Sequence, residues 1–185
     1  EFVFDWIENA AGWDPRQLRD YPVVLLSKSN VCSAADRTPW LAGPAEHALS
    51  HYVRAGGGLV AVHSGIASYK DWPAMRAVLG GVFINHPPPC AIIAVPTRSH
   101  PLTAGAERPF AIHDEHSHVA LEDPTADIFL HTCSEHGVQP AGWTRREKRG
   151  RVAVLTPGHF PEVWLTSGFQ QLLVNLLGWT CPGHD

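Results

Sequence analysis

Three histidines and two carboxylates stand at positions where the chain pattern invites chemistry. The run Gly56-Gly57-Gly58-Leu59-Val60-Ala61-Val62-His63-Ser64-Gly65 reads as a loop, a short buried strand of small and β-branched residues, and an abrupt turn. In α/β proteins a strand followed by a glycine-bearing turn and a helix lifts one side chain above the carboxyl edge of the sheet, where hydrolases keep a nucleophile. Here that side chain is His63, and a neutral imidazole does not replace a thiolate or an activated serine in acyl chemistry. Ser64 is one residue past the turn; its hydroxyl serves either as a fallback nucleophile or as a cap for backbone amides of the next helix. His86 follows a strand end and precedes Pro87-Pro88-Pro89, whose fixed φ angles stiffen its loop. The densest polar cluster is His113-Asp114-Glu115-His116-Ser117-His118; strand alternation would put His113 and Glu115 on one face and Asp114, His116 and His118 on the other. His159 lies in Pro157-Gly158-His159-Phe160-Pro161-Glu162. Trp143 offers an indole face on which a pyranose ring can stack, or a core side chain.

If His63, His86, Glu115 and His159 meet at one sheet edge, two chemistries open. One is a divalent metal site, because imidazole and carboxylate suit zinc, nickel or iron. The other is metal-free acid–base catalysis by a carboxylate and a histidine. The sequence has no HExxH pair on one helix to favour the metal.

The elements that must carry these groups follow from periodicity. Residues 2–7 read as a strand, and residues 15–20 as a short helical turn closed at Tyr21-Pro22. Val23-Val24-Leu25-Leu26 is a continuous apolar run, the mark of a strand buried on both faces. Helical periods fill 45–55 and 71–79, the latter stopped by Gly80-Gly81. Short strands are expected at 91–95, 110–112, 127–131, 138–144 and 151–156, with a closing helix over 169–177. His100-Pro101 reads as a structural turn. Strand–helix alternation in the first half predicts right-handed crossovers and a parallel sheet, and the second half an antiparallel extension.

The 185 residues suffice for one domain with a sizeable core, and 44% apolar and 17% charged residues are ordinary for a globular protein. A net charge of −4 argues against nucleic acid as partner; the one basic run, Arg145-Arg146-Glu147-Lys148-Arg149, reads as a hairpin turn. No apolar stretch approaches the ~20 residues of a membrane span, so no membrane partner is expected. Cys32, Cys90, Cys133 and Cys181 lack CxxC spacing and read as free thiols in a reducing, cytoplasmic setting.

Taken together the motifs resemble the ThuA-like (trehalose utilisation) family of the class I glutamine amidotransferase-like superfamily. The matching pieces are Leu18 to Leu26, Gly56 to Gly65, Leu79-Gly80-Gly81-Val82-Phe83 with His86-Pro87, His100-Pro101-Leu102-Thr103, Asp114-Glu115, Trp143-Thr144-Arg145, Gly150-Arg151-Val152, Gly158-His159 and the tail helix ending at Trp179. The resemblance implies a flavodoxin-like α/β fold with a mostly parallel sheet and helices on both faces. It implies Asp114 and Glu115 as a functional pair, and places His159 where amidotransferases keep a catalytic histidine, with Glu162 echoing the acidic third member. No cysteine stands at the turn, which argues against a glutaminase. Family members begin with a strand and helix ahead of the run at residues 2–7, and nothing here supplies them, so the expectation is a chain lacking both or a sheet completed by another chain.

The implied substrate is a carbohydrate, a keto-sugar or glycoside of disaccharide utilisation. His63, Glu115 and His159 are then the catalytic candidates, and Ser64, His86, Asp114 and Trp143 the substrate-binding ones. The different reading is a non-catalytic sugar-binding or assembly module that keeps the fold without its nucleophile. Homo-oligomerisation suits the fold, though no residue here indicates it.

Overall fold

A computed structural model describes residues 2–183. In chain order its elements are β1 (Val23–Leu26), α1 (Pro44–Arg54), β2 (Gly58–Val62), α2 (Ser64–Ala67), α3 (Pro73–Leu79), β3 (Gly81–Asn85), β4 (Cys90–Pro96), β5 (Phe110–Asp114), β6 (His118–Leu121), β7 (Asp127–Ser134), β8 (Gly137–Glu147), β9 (Gly150–Leu155), α4 (Pro161–Trp164) and α5 (Ser167–Thr180). Short 3-10 turns at Pro15–Asp20 and Pro101–Thr103 precede β1 and β5.

Seven strands form one sheet in the order β1-β2-β9-β8-β7-β4-β5, and β3 and β6 form a separate antiparallel ribbon. β1, β2 and β9 run parallel, and the strands from β9 through β8, β7, β4 and β5 alternate in direction. This is the mixed, flavodoxin-like sheet the sequence implies: a parallel half made by βα crossovers and an antiparallel extension.

The core has two layers because the central strands bury both faces. Val60 and Val62 of β2, with Ala153 and Leu155 of β9, pack on Phe169, Leu172 and Leu176 of α5. The alternate residues Leu59 and Ala61, with Val152 and Val154, pack on Leu49 and Val53 of α1 and Met75 and Val78 of α3. Every residue of β2 and β9 is buried, which is why their sequences show no polar alternation.

Two expectations change. Residues 2–7 are not a strand. They run without regular secondary structure, with Val3 and Trp6 91% and 74% exposed, and with Trp13, Leu18, Val24 and Leu26 they line a cleft of about 280 Å³. Apolar content alone does not make a strand: residues 2–7 share this cleft with β1 but do not join its open edge, and among the described residues β1 pairs with β2 alone. The second change is Trp143: it is fully buried, and its indole N–H donates to the Leu79 carbonyl at 2.9 Å, so it is a core side chain closing the end of α3 and not a stacking wall.

Arg145, inside the expected basic turn, is not a solvated charge either. Its guanidinium donates to the Ala77 and Val78 carbonyls at the end of α3 (2.9 and 2.7 Å) and pairs with Asp123 just beyond β6. It thereby ties the ribbon, and the His86 loop that follows β3, to the main sheet. The side-chain and backbone bonds from Thr125 to Asp123, with the bond from Arg145, hold this carboxyl down from 3.8 to about 2. A depressed carboxylate contributes stability that is complete above its unfolded value and lost as the pH falls through its folded one. In denaturant titrations Asp123→Asn should cost about 1 kcal/mol at pH 6, and the difference should close between pH values of about 4 and 2.

Candidate functional site

The parallel pair β2–β9 ends level, with Val62 opposite Leu155. The residues that follow both strands therefore emerge side by side at the carboxyl edge of the sheet. After β2 the chain turns at His63, whose φ of 46° is left-handed for a side chain with a Cβ. Its N–H still continues the ladder to the Leu155 carbonyl at 2.8 Å, while the next residues are already helical. Such strain, of order 1–3 kcal/mol, persists only where the surroundings enforce it. Gly65 is part of that enforcement: a Cβ there would stand 2.0 Å from the Leu26 carbonyl oxygen, so α2 seats directly on the end of β1. After β9, Thr156-Pro157-Gly158 carries the chain to His159, and Gly158 adopts a φ of 130°.

A buried carboxylate fixes that second loop. Asp114, the last residue of β5, has no exposed surface, and it accepts from the Gly158 N–H at 2.7 Å and the His159 N–H at 3.1 Å. It was a substrate-binding candidate; with both oxygens committed to backbone amides out of solvent it is instead a positioning residue for His159. On the other side the Trp164 indole donates to the Gly158 carbonyl at 2.9 Å, so the loop is clamped from both flanks.

Because β5 stops at Asp114, strand alternation no longer governs Glu115, which turns towards the sheet edge. Its Oε2 lies 3.6 Å from His63 Nε2 and 3.5 Å from His86 Nε2, and its Oε1 lies 3.5 Å from His159 Nδ1. His63 Nε2 and His159 Nδ1 are 3.3 Å apart. The structure thus brings together His63, His86, Glu115 and His159, contributed by four segments spread over nearly a hundred residues. Glu115 and His63 are largely covered, at 16% and 13% side-chain exposure, while His159 and His86 reach solvent at 42% and 35%.

Two of the imidazoles have their tautomers set by what faces Nδ1. A carbonyl can only accept, so His63 Nδ1, 3.1 Å from the Thr156 carbonyl, carries a proton, and so does His86 Nδ1, 2.8 Å from the Pro87 carbonyl. In their neutral forms both rings then direct a lone pair at Glu115.

Ser64 begins α2 and is half-buried beside the site without entering this cluster. His113 stays on the outer face of β5, its ring 5.9 Å from that of Phe160. His116 turns inward, bridging Ser134 Oγ (2.6 Å) and Thr132 Oγ1 (3.1 Å); burial holds its imidazole below the ordinary range. His100 caps the 3-10 turn by accepting from the Leu102 N–H, which agrees with its structural reading.

Sequence reasoning passed over Phe160, whose ring meets that of His159 edge-on at 4.6 Å. With His113, Glu162 and Thr166 it lines an open cleft of about 430 Å³ beside the cluster. The only sequence signal for it was its place directly after His159. The Thr156 carbonyl, which sets His63's tautomer, had no side-chain signature at all.

The family described as ThuA, trehalose utilisation, matches residues 1–180. Among solved structures, a ThuA-like protein from Bacteroides uniformis superposes with a TM-score of 0.76 at 21% identity, over 97% of this chain and 77% of that one. A cytoplasmic protein from Salmonella typhimurium gives 0.65 at 16% identity, over 90% and 74%. A cold-adapted β-galactosidase from Rahnella sp. R3 gives 0.61 at 16% identity, over 88% of this chain but 23% of the other. At these identities the likeness is one of fold. None of the curated proteins matches the chain.

Two substitutions test the positioning. Asp114→Asn puts an amide against the Gly158 or His159 N–H and should cost about 1–3 kcal/mol in thermal or denaturant unfolding, with the His159 ring resonances shifting by NMR. Gly65→Ala should cost more, because the added Cβ would meet the backbone oxygen of Leu26, which no side-chain rotation can move aside.

Proposed function

The chain belongs to the ThuA, trehalose utilisation, family, and from that membership we propose that it acts on a carbohydrate, a keto-sugar or glycoside of disaccharide utilisation. The observation that carries this reading is the convergence of His63, His86 and His159 on Glu115 at the turn after β2. A carboxylate among imidazoles is suited to moving a proton to and from the carbon or oxygen next to a sugar carbonyl, or to and from a glycosidic oxygen. His63 forms the rigid floor and Glu115 is the central base. His159 is the exposed partner that exchanges protons with solvent, and His86 closes the loop side of the cluster.

The cleft beside the cluster gives the sugar its place. Phe160 supplies the aromatic face earlier assigned to Trp143, and His113, Glu162 and Thr166 supply polar groups around it. An apolar platform ringed by hydrogen-bonding groups fits a pyranose, which is apolar on its faces and polar at its rim. No helix among the described residues is long and apolar enough to cross a membrane; a cytoplasmic location is part of the proposal, since a structural neighbour is described as cytoplasmic.

A second reading has its own observation: the turn that bears a nucleophile in related folds bears His63, and Ser64 lies outside the cluster. On that reading the domain binds sugar without turning it over. An assay of keto-sugars and glycosides related to trehalose separates the two. Glu115→Gln and His159→Ala should each lower kcat/KM by at least about 100-fold, and Phe160→Ala should raise KM while sparing kcat. Turnover unchanged in Glu115→Gln and His159→Ala would refute the catalytic reading, whereas calorimetric sugar binding without turnover would establish the second one.

A further inference from the structure

Neutral His63 and His86 have their Nδ1 protons committed to carbonyls, so the atoms they present to Glu115 are acceptors facing an acceptor, at 3.6 and 3.5 Å. A largely covered carboxylate is not left among lone pairs unless positive charge stands between them. That charge is either an extra proton on an imidazole or a cation, and the spacing discriminates.

Three ligand atoms, one each from His63, Glu115 and His159, lie within 4.8 Å of one another. The closest approaches among these residues are 3.3 Å between the two imidazoles, 3.5 Å from Glu115 Oε1 to His159 and 3.6 Å from Glu115 Oε2 to His63, so each oxygen faces one ring. Nitrogen and oxygen ligands at about 2.0–2.1 Å from a tetrahedral zinc lie about 3.3 Å apart, and slightly wider spacings close on a cation with little movement. The donors also come ready oriented: His63's outer N–H is held by a backbone carbonyl, the arrangement that fixes ring and tautomer in metal-binding histidines. His159's ring is set through its backbone by Asp114 and against Phe160.

We propose that His63 Nε2, His159 Nδ1 and a Glu115 oxygen hold one divalent transition-metal cation of the zinc, nickel or iron type. Two imidazoles and one carboxylate would leave coordination positions open for water or substrate, and His159, the most exposed of the three, leaves the group reachable from solvent. His86 stands outside this group, with its Nε2 3.5 Å from Glu115 Oε2. A bound cation would polarise a sugar carbonyl or acidify a water. The inference rests on reading this cluster as the reactive centre, but its test needs no sugar.

The purified chain is stripped with chelator, dialysed and titrated calorimetrically with zinc chloride, with cobalt(II) absorption as an independent readout. One equivalent should bind and raise the melting temperature. Glu115→Gln and His159→Ala, checked for folding by circular dichroism, should each weaken binding by more than the roughly 10–100-fold typical of losing an outer-shell partner. His51→Ala, at an exposed position of α1, should bind as the parent does. Absence of stoichiometric binding, or binding that survives both Glu115→Gln and His159→Ala, overturns the proposal, the latter assigning the metal to scattered surface histidines. Sugar turnover that withstands chelation also overturns it while leaving the proposed function standing. Tight binding at this site without turnover of any sugar keeps the metal and removes the catalytic reading.

Discussion

Two parallel strands that stop at the same level are the constraint from which the site follows. β2 and β9 lie side by side, sealed between α5 on one face and α1 with α3 on the other, and neither can slide without moving a full row of buried aliphatic side chains to the wrong layer. Their ends are therefore fixed to each other within the tolerance of core packing. His63 and His159, one and four residues beyond those ends, inherit that precision. The left-handed backbone at His63 is tolerable because the ladder bond to Leu155 before it and the Gly65–Leu26 approach after it leave no relaxed alternative.

The other two members reach the site by less rigid routes, and each is braced. Glu115 extends from the end of β5, at the far edge of the sheet, and Asp114 beside it bonds the backbone of the His159 loop. One carboxylate of the adjacent pair thus joins the antiparallel extension to the parallel half, while its neighbour faces the imidazoles. His86 follows the β3–β6 ribbon, which stands apart from the main sheet and is tied to it by Arg145 and Asp123. The gradient in exposure, from His63 to His159, runs from the packed sheet edge towards the open cleft. That is the order expected of a site whose floor is structural and whose rim meets a ligand.

Several of these features were legible in the residues themselves. The glycine run, the strand and the turn identified the sheet edge at His63, and Gly158-His159 and His86-Pro87 marked the other loops. The parallel half and the antiparallel extension followed from the spacing of apolar runs. What misled was treating residue type as role. Trp143 has the chemistry of a stacking platform but sits in the core, and residues 2–7 have the composition of a strand but do not join the open edge of β1. Asp114 and Glu115 are alike in sequence, and the end of β5 between them sends one into a backbone clasp and the other into the cluster.

Sequence alone determined most of the elements, residues 2–7 excepted, because local periodicity and turn chemistry act over a few residues. It also determined which imidazoles and carboxylates were available for a site. Tertiary structure decided which of them meet, since separations of 3.3–3.6 Å between segments up to 96 residues apart arise from strand register and layer packing. It decided the tautomers as well, through carbonyls of Thr156 and Pro87 whose direction is a property of the folded backbone and of no side chain.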